Sequence, residues 1–241
     1  LTVVGIGPGK EAWRTPEAAA AVAAATDLVG YRLYLDLLGP EADGKRCHAY
    51  ELGEERARVR DALDLAAGGR AVALISSGDA GIYAMASLVF ELLEAPEDAA
   101  WGRVAVAVVP GLSAMQAAAA QIGAPLGHDF CAVSLSDLLT PWPVIERRLE
   151  AAAEGDFVVA LYNPGSQRRR HQLARAAEIL LAHRADDTPV VLARNLGREG
   201  GQVRVVSLID LTPEMADMLT LVIVGSSATR RVARPGGGAW V

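Results

Sequence analysis

The residues Ser76-Ser77-Gly78-Asp79-Ala80-Gly81-Ile82-Tyr83 place two serine hydroxyls, a carboxylate and two glycines side by side. Gly78 and Gly81 let the main chain approach a ligand or take a positive φ. Asp79 can accept from ligand hydroxyls or face a cation, or it can simply cap the following helix. Three more turns have the same flavour: Gly5-Ile6-Gly7-Pro8-Gly9-Lys10, Pro110-Gly111-Leu112-Ser113-Ala114-Met115 and Asn163-Pro164-Gly165-Ser166. A polar loop, Arg194-Asn195-Leu196-Gly197-Arg198-Glu199-Gly200-Gly201, adds arginines. There is no nucleophile elbow, no HExxH pair and no phosphate-loop lysine. The first turn begins like a dinucleotide fingerprint, but Lys10 stands where that fingerprint needs glycine, and Pro8 lacks an amide for a phosphate. A tight loop that admits an adenosine-type ligand remains. His48, His128 and His171 fall near loops and His183 on a helix, as solvated or structural residues do. Such a pattern suits an enzyme whose chemistry resides in a bound cofactor, with the protein supplying position and exclusion of water.

Strands must hold these turns. Residues 71–75 are a continuous apolar run, read as a buried strand, and residues 84–93 repeat apolar positions at helical spacing. Asp79 therefore lies at the carboxyl end of a buried strand, where open α/β sheets bind ligands. Residues 1–6, 27–31 and 104–109 read as further strands. Thr15 and Pro16 open an Ala-rich helix as N-cap and first residue. Residues 53–67 alternate Glu and Arg, which predicts a solvated helix face. Near residue 115 the texture changes. Helices are expected over 114–121 and 144–153, and from residue 167. Strands are expected at 189–193, 203–208 and 219–224, with the apolar run 157–162 between helices. The fold class is α/β: a first domain over 1–114 with a mainly parallel sheet, a second over 115–241, and a cofactor cleft between them.

The 241 residues are 51% hydrophobic, enough for a sizeable core, yet no apolar run is long enough for a membrane span. No secretory leader is visible. Cys47 and Cys131 form no CxxC pair, which fits a reducing cytoplasm and argues against a zinc or iron–sulfur site. A net charge of −6 disfavours nucleic acid as a partner. Lys10 and Lys45 are the only lysines among 23 basic residues, and the arginine fork suits carboxylate ligands.

Taken together, Gly5-Ile6-Gly7-Pro8-Gly9, Gly78-Asp79-Ala80-Gly81-Ile82-Tyr83, Val109-Pro110-Gly111-Leu112-Ser113-Ala114 and Leu221-Val222-Ile223-Val224-Gly225 resemble the tetrapyrrole (corrin/porphyrin) methyltransferases. Ser134-Leu135-Ser136-Asp137 with Thr140-Pro141-Trp142, and Leu161-Tyr162-Asn163-Pro164, resemble the branch that methylates C17 of precorrin-3B. Ala80 stands where that family usually has proline. The resemblance implies a homodimer that binds S-adenosylmethionine and releases S-adenosylhomocysteine. It implies cofactor contacts at Pro8, Ser77, Gly78, Asp79, Ile82, Ser113, Ala114, Asn163, Leu196 and Thr220. It implies methylation of C17 with ring contraction to precorrin-4 in cobalamin biosynthesis. A cobalt-bearing substrate, another ring carbon, or a non-catalytic tetrapyrrole carrier stay open. Arg168, Arg169, Arg194 and Arg198 are candidates for the substrate carboxylates. Ser136, Asp137, Tyr162, His128 and Glu199 are candidates for proton transfer.

Overall fold

The computed structural model describes residues 1–165 and 171–241, so Ser166, Arg168 and Arg169, singled out above, lie outside the described residues. The chain divides into two compact units, Leu1–Ala114 and Met115–Val241. The first holds strands β1 (Thr2–Gly5), β2 (Asp27–Tyr31), β3 (Arg46–Tyr50), β4 (Val72–Ser76) and β5 (Ala107–Val109). Their order is β3-β2-β4-β1-β5, and every pairing is parallel. Helices α1 (Pro16–Ala24), α2 (Arg32–Asp36), α3 (Glu55–Ala67) and α4 (Met85–Glu94) connect them. Val3, Val29 and Leu74 pack with Val59, Leu63 and Val89 in one core layer; Val4, Leu28 and Ile75 pack with Ala18, Val22 and Leu35 in another. A parallel sheet covered on both faces explains why β4 is apolar without alternation and buried throughout. Thr15 accepts from the Ala18 amide at 3.1 Å with Pro16 beginning α1, as the sequence predicts.

Two expectations for the first unit change. The strand expected over 104–109 shortens to β5, because the Val104 amide turns back to the Trp101 carbonyl at 3.0 Å. The helix read as a solvated Glu/Arg face keeps Arg56 and Arg60 outside, sharing Glu97 at 3.2 and 2.7 Å. Arg58, however, is only 3% exposed. Its Nη2 donates to the Glu51 carbonyl at 3.0 Å, while its stem lies in the α3 face that carries Val59, Ala62 and Leu63.

Asp27, at the start of β2, is fully buried. Its Oδ1 takes His48 Nε2 at 2.9 Å and Arg70 Nη2 at 2.6 Å, and its Oδ2 accepts from Thr26 Oγ1 at 2.8 Å. Burial pushes this carboxyl up, but the bonds from His48, Thr26 and Arg70 outweigh it and hold the group below the usual carboxylate value.

Helix α5 (Ala114–Ile122) leads into the second unit. Its strands are β6 (Phe130–Ser134), β7 (Val158–Tyr162), β8 (Pro189–Arg194), β9 (Gln202–Ser207) and β10 (Thr220–Val224), in the order β6-β7-β10-β8-β9. Only β6 and β7 pair in parallel; the other pairs are antiparallel. Helices α6 (Trp142–Glu154) and α7 (Gln172–Leu181) bury Ile145, Leu149, Leu173 and Leu180 against Val159, Leu161, Leu192 and Val222. Helix α6 starts two residues before the expected position, with Pro143 in its first turn, where a missing amide costs nothing. At the end where β7 and β8 begin, the buried Arg184 donates to the carbonyls of Ala153 and Phe157 at 2.8 and 3.2 Å and pairs with Asp156 at 3.0 Å. A short hairpin of β11 (Val232–Ala233) and β12 (Ala239–Trp240) closes the described chain. Among the described residues, no helix is long and apolar enough to cross a membrane.

Asp27→Asn lowers stability by about 2 kcal/mol at pH 7, because His48 and Arg70 lose the negative charge of their buried partner and Thr26 loses the acceptor at Oδ2. A depressed carboxyl contributes above the unfolded value and loses that contribution as pH falls through the folded one. Urea unfolding of both proteins from pH 7 to pH 3 therefore shows the gap closing below about pH 4.

Candidate functional site

All five strands of the first sheet run the same way, so their carboxyl ends share one edge. There the turns after β1 and β4 join directly. Gly7 and Gly78 exchange amide–carbonyl hydrogen bonds at 3.1 and 2.9 Å, and the Ile6 amide reaches the Ser76 carbonyl at 2.9 Å. The turn after β5 presses on both. A Cβ on Gly111 would stand 2.2 Å from the Gly78 oxygen and 2.5 Å from the Gly5 oxygen, and one on Gly5 would stand 2.7 Å from the Gly78 oxygen. These are contacts no side chain permits.

Asp79 fastens two of the three turns. Its Oδ1 accepts from the Gly81 amide at 2.8 Å and its Oδ2 from the Gly111 amide at 3.0 Å. Asp79 is therefore not the cap of α4, whose N-cap residue is Ala84. Its carboxylate bridges the turn after β4 to the turn after β5. On the same edge Pro8 and Ser113 are buried, and Ser77, Ile82 and Ala114 are partly buried. The Ser76 hydroxyl is buried with no hydrogen-bond partner among the described residues. Tyr83 ends the turn at φ +50°, a strained conformation for an aromatic residue.

In the second sheet the carboxyl ends of β6, β7 and β8 and the amino end of β10 share an edge. Ser134 pairs with Tyr162, and Thr220 with Arg194. Asn163 takes φ +53° just after β7, which asparagine tolerates, and its Nδ2 donates to Ser134 Oγ at 3.0 Å. Asn195 takes φ +52° just after β8 and donates to the Glu199 carbonyl at 2.7 Å. Leu196 is buried and Arg198 partly buried in that loop, with Glu199 exposed. Arg194 Nε donates to Asp217 Oδ2 at 2.8 Å, and Thr220 Oγ1 to Asp217 Oδ1 at 2.8 Å. Burial pushes the Asp217 carboxyl up, but Thr220, Arg194 and the Leu219 amide together hold it below the usual value. A cleft of about 200 Å³ beside this pair is lined by Leu192, Arg194, Gln202, Arg204, Glu214 and Met215.

The proton-transfer candidates separate. Asp137 lies past the carboxyl end of β6 and its Oδ2 accepts from Gln172 Nε2 at 3.1 Å. The Ser136 amide donates to Ser134 Oγ at 3.2 Å. Tyr162 sits in the row with its hydroxyl buried. His128 precedes β6 and so stands at the other end of that strand, away from this edge. Sequence reasoning missed Asp217 and Gln172. Asp217 had a faint signal, a carboxylate three residues before a strand-opening threonine; a glutamine at the start of a helix has none.

The model of the Tetrapyrrole (Corrin/Porphyrin) Methylases matches residues 1–212. The chain belongs to the tetrapyrrole methylases. It is 48% identical over 236 residues to a precorrin-3B C(17)-methyltransferase of Sinorhizobium sp, covering 98% of this methylase and 92% of the relative. It is 50% identical over 234 residues to the cobalamin biosynthesis protein CobIJ of Mycobacterium bovis, covering 95% of this chain and 45% of that one. The methylase thus spans about half the length of the CobIJ relatives. A crystal structure of the methyltransferase CobJ superposes with a TM-score of 0.90 at 48% identity, covering 96% of each chain. The mixed α/β architecture is the fold of that family.

Asp79→Ala removes the bridge between two turns. We expect melting temperature and S-adenosylhomocysteine affinity, read by calorimetry, to fall together. An affinity loss at an unchanged melting temperature would instead put the carboxylate on the ligand. Gly111→Ala destabilises by about 2 kcal/mol or more from overpacking alone, measurable by chemical denaturation.

Proposed function

We propose that this methylase transfers a methyl group from S-adenosylmethionine to C17 of precorrin-3B and contracts the macrocycle to precorrin-4 in cobalamin biosynthesis, as a cytoplasmic homodimer. The observation that carries this reading is the near end-to-end match to the Sinorhizobium enzyme. The residues of the first sheet edge fit the cofactor. Three turns offer main-chain groups with no side chain between them, and the buried Ser76 hydroxyl has a hydrogen bond to give. In this reading Pro8, Ser77, Gly78, Asp79, Ile82, Ser113 and Ala114 hold the cofactor, together with Asn163, Leu196 and Thr220. Asp79 serves by fixing the turns that the others stand on.

When bound, S-adenosylmethionine supplies an electrophilic methyl carbon. The chain's own task is alignment, since an in-line displacement needs reacting atoms about 3–3.5 Å apart and no protein nucleophile. Rigid strand ends perform that task better than long loops. Arg194 and Arg198 face substrate carboxylates in this reading, and Arg168 and Arg169 extend the same role. Arg194 comes to it already oriented by Asp217, so that little side-chain freedom is lost when a carboxylate arrives.

Incubation with precorrin-3B and methyl-labelled S-adenosylmethionine yields a contracted, labelled macrocycle. Bound chromophore without transferred label would make the protein a carrier, and label passed only to a cobalt-bearing macrocycle would move the substrate to the metal-containing series. Arg194→Ala raises the KM for the tetrapyrrole about tenfold, the loss of one charge-assisted hydrogen bond, and leaves the KM for S-adenosylmethionine unchanged. The reverse pattern would remove Arg194 from substrate binding.

A further inference from the structure

We infer that Gln172 is a positioning residue that aims the carboxylate of Asp137, and that Asp137 takes the proton whose removal starts ring contraction. The inference rests on the reading above. Gln172 is 1% exposed, an unusual burial for a glutamine, and it opens α7 with Leu173, Ala176 and Ala177 packed into the core around it. Its Nε2 donates to Asp137 Oδ2 at 3.1 Å, and its Oε1 has no partner among the described residues. A buried amide left half satisfied costs free energy, about 1–3 kcal/mol, that an apolar residue of similar size would not. The half that is satisfied is the one that grips the acid.

Asp137 itself is exposed, two residues beyond the buried Leu135 and past the strand end that carries Ser134 and, beside it, Asn163. One oxygen is held from beneath; the other makes no hydrogen bond or ion pair with any described residue. The rival candidates are less suited: Tyr162 has a buried hydroxyl, Glu199 lies in a surface loop, and His128 is at the far end of β6. Helix α6 carries Glu146, Arg147, Arg148, Glu150 and Glu154, and α7 carries Arg175 and Glu178 behind His171; the His171 ring meets Trp142 edge-on, and Arg175 is paired with Glu146 and Glu178. None of these pairs with Asp137. The macrocycle O–H bond breaks and its proton goes to Asp137. Its electron pair becomes the second C–O bond of a ketone. One ring carbon–carbon bond moves with its pair to the adjacent carbon, and the lactone C–O bond there breaks with its pair to leave a carboxylate.

The test uses the full chain and two readouts. In ¹⁵N spectra of the free protein, the Gln172 side-chain amide moves on Asp137→Asn and does not move on the surface control Glu154→Gln; an unmoved resonance in Asp137→Asn overturns the inference whatever the substrate proves to be. With precorrin-3B, Asp137→Asn slows contraction about a hundredfold and Gln172→Met about tenfold, while both keep S-adenosylhomocysteine affinity within about twofold. In Gln172→Glu a second carboxylate beside Asp137 moves the acidic limb of the contraction rate to higher pH. Wild-type pH profiles and rates in both Gln172 variants would overturn the inference. A wild-type protein that transfers no label fails the parent reading alone, and the amide resonance then decides Gln172 by itself.

Discussion

The first unit depends on main chain touching main chain. Three turns, after β1, β4 and β5, approach so closely that glycine is required at Gly5 and Gly111, where an added Cβ would fall within 2.7 Å of a carbonyl oxygen. Close approach of carbonyls and amides is stable only when their hydrogen bonds are met. The Gly7–Gly78 pair meets two of them, and Asp79 meets two more through its carboxylate. The result is a rigid polar rim on a doubly covered sheet. Such a rim can present backbone groups to a ligand without first paying the entropy of ordering a loop.

The second unit solves a similar problem with side chains. Its sheet is mixed, so the edge that holds Asn163 and Arg194 gathers three strand ends and one strand beginning. Two asparagines turn the chain sharply at φ near +50° and satisfy neighbours with their amides. The Arg194–Asp217–Thr220 chain ties the β8 end to the start of β10. Each unit thus fixes its carboxyl-terminal edge, one by backbone contact and the other by polar side chains.

Much of this was legible in the sequence because it depends on local chemistry. Continuous apolar runs marked β4 and β7, Thr15-Pro16 marked the start of α1, and glycine or proline marked the three turns after β1, β4 and β5. What depended on partners distant in the chain was not legible. Nothing near Asp79 announces that its oxygen will be taken by Gly111, and the helix-cap reading was as reasonable from spacing alone. Arg58 sits in an alternating Glu/Arg pattern, yet its side chain packs inward because the β3–α3 connection supplies the Glu51 carbonyl. Val104 has the β propensity of its neighbours, but the turn at Trp101 takes its amide. Gln172 looks like any polar helix opener until β6 places Asp137 against it.

The two ends of the second sheet are secured by different physics. Arg184, nearly inaccessible, spends its guanidinium largely on neutral carbonyls, whereas Arg194 and Asp217 meet each other half in water. Dissolved ions screen exposed charge pairs over about 8–10 Å and hardly reach buried ones. Ionic strength therefore acts more on the rim that holds Arg194 and Asp217 than on the buried guanidinium–carbonyl contacts of the opposite rim, so added salt retunes one end of the sheet while the fold at the other end stays tight.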